Sequence, residues 1–180
     1  MPKLFSTETL TRDMIYFCSA SDFFSNFPAA WKNVSTRVYK LETKMSYQET
    51  DNPSYDAYIR GDLDKAIELI KKSKEKDYPV YESLRKRGVN VYRCRPVLLP
   101  LSDYLNWEFE CYKENSKQGE LIFLSEGLDI YKTHALHDFM LFDDKVALVH
   151  NYDENGLIQG GWMTTDSNKI ASFKTLLNIL

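Results

Sequence analysis

The stretch from Val89 to Leu124 constrains this chain more than any other. Val89-Asn90-Val91-Tyr92-Arg93-Cys94-Arg95 alternates side-chain character with period two, the mark of a strand. Pro100 and Ser102 then open a helix whose stripe holds Leu101, Tyr104, Leu105, Phe109 and Tyr112, and Gly119 ends it. Leu121-Ile122-Phe123-Leu124 follows as a short apolar strand. A strand, a helix and a second strand at this spacing form a βαβ crossover, which is right-handed in nearly all cases, so the two strands are expected to lie parallel in one sheet.

The remaining pattern surrounds that unit. Thr36 to Glu42 reads as a further strand, Asn52-Pro53 to Gly61 as a short helix, Asp62 onward as an amphipathic helix with Leu63, Ala66, Ile67 and Ile70 on one face, and Pro79 to Gly88 as another short helix. Asp138 to Phe142 and Val146 to His150 flank Asp143-Asp144-Lys145, and Asn155-Gly156 precedes Leu157 to Thr164. Two tight turns there predict an antiparallel meander with Phe139 and Leu141 toward the core. Ser167 is the expected cap of a last helix carrying Ile170, Phe173, Leu176, Leu177 and Leu180. The expected fold is mixed α/β (α+β): a mixed sheet with one parallel βαβ crossover, an antiparallel C-terminal meander and packing helices. Length favours one domain over residues 1–180, with residues 1–35 as a helical N-terminal extension in which Ser21-Asp22 caps a helix and Pro28 stops it.

Composition narrows the function classes. With 43% hydrophobic and 27% charged residues the chain is globular, and 12 Tyr, 10 Phe and 3 Trp can fill a core and still line a pocket or interface. A net charge of -3 gives no global basic field, so direct nucleic-acid binding is not expected. Cys18, Cys94 and Cys111 make an odd set without a C-x-x-C pair, and reduced thiols are expected. Lys3, Glu8, Arg12 and Asp13 interrupt the first twenty residues, no stretch suits a membrane span, and a cytoplasmic protein is expected. No phosphate-loop, dinucleotide or nucleophile-elbow motif occurs, so no cofactor is expected.

Candidate sites are few. His134, His137, Asp138, Asp143, Asp144 and His150 could converge as a His/carboxylate set, but the spacing fits no metal template and no metal is expected. Loop placement of the histidines and turn duty for Asp143-Asp144 is the favoured alternative. Arg93 and Arg95 share a strand face before the helix carrying Glu108 and Glu110, which offers an anion-binding fork; a salt-bridged solvent edge is favoured over it. Tyr39, Tyr47, Tyr55 and Tyr58 surround Glu42 in sequence, either as a pocket or as core packing. Cys94, on the opposite strand face, reads as a buried small hydrophobe. Because ligands of parallel sheets bind beyond strand carboxyl ends, function is expected near Ser125 to Gly127 with His134 and His137.

Tyr39-Lys40-Leu41-Glu42-Thr43, Val91 to Val97 leading into Pro100-Leu101-Ser102-Asp103-Tyr104-Leu105, Gly119-Glu120-Leu121-Ile122 and His137-Asp138-Phe139-Met140-Leu141-Phe142-Asp143-Asp144 resemble an uncharacterised bacterial domain family. The resemblance runs from about Phe23 to the C-terminus. It implies genomic company with small helix-turn-helix regulators, and the element order also looks like half of a phospholipase-D-like domain. That fold's His-x-Lys is missing, since Ala-Leu, Asp-Phe and Asn-Tyr follow the three histidines. The resemblance therefore implies a non-catalytic sensing or interaction module of bacterial regulation or defence. Its binding residues would be Arg93, Arg95, Tyr47, His134 and His137. A helix-turn-helix regulator or other protein, a small ligand and a second copy of the chain are the partners left open. The alternative is a phosphodiesterase- or nuclease-like toxin using His137, Asp138, Asp143, Asp144 and His150.

Overall fold

The structure is a computed structural model and describes residues 7–126 and 137–178. Its elements run α1 (Thr7–Thr11), β1 (Ile15–Phe17), α2 (Ala20–Phe24), α3 (Phe27–Asn33), β2 (Arg37–Leu41), α4 (Pro53–Ile59), α5 (Leu63–Glu75), α6 (Tyr78–Lys86), β3 (Asn90–Val97), α7 (Asp103–Lys117), β4 (Glu120–Glu126), β5 (Phe139–Phe142), β6 (Val146–Tyr152), β7 (Ile158–Thr164) and α8 (Ser167–Leu177). The caps follow local chemistry. Asn52, Asp62 and Ser102 each accept a hydrogen bond from a first-turn amide of α4, α5 and α7. At α8 the capping side chain is Asp166, one residue before the expected Ser167.

The seven strands form one mixed sheet in the order β1-β7-β6-β5-β2-β3-β4. β2, β3 and β4 are parallel, and every pairing from β2 through β5, β6 and β7 to β1 is antiparallel. The expected β3-α7-β4 crossover is present. A second parallel connection, β2 to β3 through α4, α5 and α6, was not legible as a crossover because three helices replace one. The N-terminal region also differs from the helical expectation. It supplies edge strand β1, and Pro28 sits in the first turn of α3, where a missing amide costs nothing, instead of ending a helix.

Both faces of the sheet are covered at its centre, so β5 is buried at all four positions in place of the expected alternation. On one face Val38, Val91, Met140, Phe142 and Leu148 pack with Phe23, Val34 and Leu84. On the other, Leu41, Phe139, Leu141, Ala147 and Val149 meet Ile170, Phe173 and Leu176 of α8. Gly161 permits the first layer to close: a Cβ there would lie 2.3 Å from the Val149 carbonyl oxygen and 2.5 Å from the Phe23 ring. β4 does not read as its apolar run suggests. It is the sheet edge, and Leu121, Phe123 and Leu124 are exposed. No helix among the described residues is long and apolar enough to cross a membrane. Cys18, Cys94 and Cys111 are free thiols.

The Phe139 ring is 1% exposed and packs 4.9 Å from Phe173. Phe139→Ala should therefore lower unfolding free energy by about 3–5 kcal/mol in a urea titration. An unchanged midpoint would contradict the assignment.

Candidate functional site

One sheet face changes character along its parallel strands. Residues two apart share a face, so Val38, Lys40 and Glu42 follow one another, and register sets Val38 beside Val91 and Lys40 beside Arg93, with Arg95 beyond. The amino-terminal half of this face is apolar and the carboxyl-terminal half is ionic. α7 lies over the ionic half and presents Tyr104, Glu108, Tyr112 and Asn115 at i, i+4, i+8 and i+11, one helix stripe whose members are all buried.

These groups close into a network. The Arg93 Nε donates to Glu120 Oε1 at 2.8 Å and its Nη2 to Glu120 Oε2 at 3.2 Å, while Nη1 pairs with Glu42. Tyr81 donates to Glu120 at 2.9 Å, Tyr112 donates to Glu42 at 2.6 Å, and the guanidinium lies 4.7 Å from the Tyr112 ring centre. Arg95, with no exposed surface, donates to the carbonyls of Glu42 and Lys44 and to Glu108 Oε2 at 3.1 Å. The network is sealed by rings: Tyr104 donates to Glu49 at 2.7 Å, and Tyr47 donates to Asp138.

Burial works against every charge here, and partners decide the outcome. Burial acts to raise the Glu42 carboxyl, but Arg93, Lys40 and the Tyr112 hydroxyl outweigh it and hold the group well below the carboxylate range. Glu108 goes the other way. Burial and the neighbouring Glu42 charge push it up to about 7 against the pull of Arg95. Burial lowers the Lys40 ammonium, and repulsion from Arg93 adds to that.

Two cavities open on the network. The first, about 270 Å³, lies among Lys40, Arg93 and Lys74 on one side and Tyr104, Trp107 and Asn115 on the other. The second, about 340 Å³, is lined by Tyr47, Asp138, His150 and Tyr152 among others. Glu42, Glu49, Tyr104 and Glu108 line both and form the wall between them. Trp107 and Asn115 line the first cavity, and the Trp107 Nε1 and Asn115 Oδ1 atoms are buried without a hydrogen-bond partner, in residues only 4% and 3% exposed.

The residues singled out from the sequence are placed unequally. Arg93 lines the first cavity and Tyr47 the second, with Arg95 buried behind the wall. The arginine face is an enclosed ionic centre and not a solvent edge, because α7 covers it. Glu108 belongs to that centre, whereas Glu110 pairs with Lys113 on the surface. Tyr39 lies on the opposite sheet face, stacked 5.0 Å from Tyr92, and Tyr55 packs against Tyr104 and Trp107. Cys94 lies on that opposite face beside the apolar layer, where burial raises its thiol.

The histidine and aspartate set divides: His137, Asp138 and His150 are neighbours, whereas Asp143 and Asp144 lie apart from them. Asp138 is buried and accepts from the Thr43 amide and hydroxyl and from Tyr47, which makes it an anchor for the segment after β2. His150 stacks on Tyr152 and contacts Phe23, and burial lowers its imidazole; His137 meets the His150 carbonyl through Nδ1 and stands edge-on to Trp162. Asp143 and Asp144 sit at the other end of β5, in a turn with φ of 50° and 54°. Asp143 accepts from the amides of Ser35, Thr36 and Arg37, and Asp144 pairs with Arg37 and Lys174. No group of His, Cys, Asp and Glu suited to a metal ion occurs among the described residues. His134 and Gly127 lie outside the described residues, as does most of the loop that was expected to carry function.

Sequence reasoning missed Lys40, Glu120, Trp107 and Asn115. The available signal was the charge alternation Lys40-x-Glu42 beside Arg93-x-Arg95, which places four ions on one sheet face once the strands are parallel neighbours.

Removing one partner of a buried pair strands the other, so Glu120→Leu should cost about 3–5 kcal/mol by chemical denaturation. Glu108 also gives the fold a pH signature. Its ordinary value is 4.5 and its folded value about 7, so the native state holds the extra proton between them, and stability falls as pH rises through that window. The melting temperature of the wild type should therefore decline from about pH 5 to about pH 7.5, and Glu108→Gln should flatten the decline. A profile unchanged by the substitution would contradict this.

Comparison with known proteins adds a family and a distant shape. Residues 25–180 match a family model described as a domain of unknown function (DUF6879). No curated protein matches the sequence. A similar solved structure is that of TrmBL2, an archaeal chromatin protein described as showing a novel mode of DNA binding; identity is 11% and the TM-score 0.45. The match covers 96% of this chain and 53% of that one, so the chain spans about half of its length. The expectation against direct nucleic-acid binding, drawn from the acidic composition, is not kept, because a DNA-binding protein is among the matches. Net charge sums the whole surface and does not exclude a partner met by one face.

Proposed function

Since this chain belongs to the DUF6879 family, a domain of unknown function, its role has to be read from its own geometry, and we propose a non-catalytic sensing module that takes a small polar molecule into the 270 Å³ cavity. The observation that carries this reading is the pair of unpartnered atoms, Trp107 Nε1 and Asn115 Oδ1. A buried donor or acceptor without a partner costs about 1–3 kcal/mol, and a ligand presenting the matching groups would recover it. The position agrees in part: Lys40 and Glu42, at the carboxyl end of β2, line the cavity, and α/β sheets bind ligands toward such ends. The ionic groups around it are committed mainly to one another, which suits a preorganised binding wall more than a reaction needing a free nucleophile and base. The aromatic load belongs to this reading too, since tyrosines build much of the wall. Regulation in the bacterial cytoplasm, with a helix-turn-helix protein as the partner that receives the signal, is the setting that the family resemblance adds.

The test is direct. The purified full chain, unfolded and extracted, should release a small molecule, and its return should move the Trp107 indole resonance in a ¹H–¹⁵N spectrum, assigned with Trp107→Phe. If nothing is released and a mixture of cell metabolites leaves that resonance in place, the cavity is not a binding site.

A further inference from the structure

The first cavity also carries a hydrogen-bond balance that narrows its occupant. Its carboxylates are already engaged: Glu42 by Arg93 and Tyr112, Glu49 by Tyr104 at 2.7 Å and Asn52 at 3.0 Å, and Glu108 by Arg95 at 3.1 Å. Arg93 commits three of its five N–H groups, one each on Nε, Nη1 and Nη2, to Glu120 or Glu42. What remains is mostly donors. The Lys40 Nζ lies 3.7 Å from Glu42 and the Lys74 Nζ 3.7 Å from Asp77, both too long for a hydrogen bond, and Trp107 Nε1 has no partner. Lys40 and Lys74 both line the cavity, and the Lys74 charge adds to the burial and the Arg93 charge that lower the Lys40 ammonium. Among the buried atoms of the lining residues, one acceptor, Asn115 Oδ1, is left without a partner.

We propose that the occupant is a small organic carboxylate bearing one further hydrogen-bond donor, a hydroxy- or amino-carboxylate; this rests on the sensing function proposed above. The carboxylate takes the Lys40 and Lys74 ammonium groups and the Trp107 N–H, relieving the repulsion between the lysines. The hydroxyl or amino group donates to Asn115 Oδ1. An ionised carboxylate alone, or a phosphate monoester dianion, offers acceptors only and leaves Asn115 unpaired; inorganic phosphate keeps a P–OH donor near neutral pH and is therefore tested directly as an outgroup. A neutral polyol pairs with Asn115 but brings no charge to the two ammonium groups, whose carboxylate neighbours Glu42 and Asp77 stand 3.7 Å away, beyond hydrogen-bond reach. At about 270 Å³ the space lies just below the ~300–1,000 Å³ of drug-sized pockets, which favours a compact metabolite.

Matched probes test the class. Lactate, malate and glutamate each carry the extra donor; propionate, succinate and glutarate are their counterparts without it; inorganic phosphate and glycerol are the outgroups. Calorimetry on the full chain should find at least one member of the first set binding about tenfold tighter than its counterpart. Asn115→Leu should erase that preference, and Lys40→Met should weaken both members of the pair. Trp107→Phe, which loses only the indole N–H and a little ring area, serves if Asn115→Leu does not fold, and should also weaken the acid about tenfold. Equal binding of each acid and its counterpart, or tighter binding of phosphate or glycerol than of any acid, overturns the proposal. If all probes fail while an extracted molecule of another class moves the Trp107 resonance, the carboxylate class is wrong and the sensing function stands; if nothing moves it, both fall.

Discussion

The buried guanidinium of Arg93 sets the terms for the rest of the molecule. An isolated charge at that depth would cost several kcal/mol, so the fold has to deliver carboxylates to it. Glu120 comes from the strand beside it and Glu42 from the end of the strand on its other side, while Tyr81 and Tyr112 arrive from helices to hold those carboxylates in place. Parallel register of β2, β3 and β4 is what brings these donors and acceptors to one level. A slip of one residue would turn Arg93 to the apolar face. The ion cluster thus specifies register in a half of the sheet where β4, at the edge, has few apolar contacts to do so.

The same cluster explains the unusual tyrosine content. A tyrosine adds apolar ring area and one hydroxyl, and Tyr47, Tyr81, Tyr104 and Tyr112 each spend the hydroxyl on a carboxylate while the ring closes the space around an ion. The site is therefore a core with charges in it, more than a surface patch.

Much of this architecture was legible in local pattern. The β3-α7-β4 unit, the C-terminal meander and the caps at Asn52, Asp62 and Ser102 follow from periodicity and short-range hydrogen bonding. β1 was hidden because three residues carry no period, and their partner, β7, lies far along the chain. The ionic centre was hidden for a different reason. Arg93 and Arg95 looked like a solvent edge because charge usually marks exposure, and only the tertiary placement of α7 reverses that inference. Asn115 was lost within a stripe read as apolar, although Tyr104, Glu108, Tyr112 and Asn115 are spaced to share one helix face. In that sense the sequence contained the site as a matching of charged positions across elements, which single-element periodicity does not report.

The strand order also fixes a timetable. β1 pairs only with β7, and β2 meets β5 across a gap that spans both crossovers. During synthesis, the parallel strands with their helices can assemble first, while β1, which precedes them, has no hydrogen-bonding neighbour among the described strands until β7 has emerged. β1 is thus made well before the strand that it pairs with, and closing the sheet at that edge reports that the chain has been made at least through Thr164.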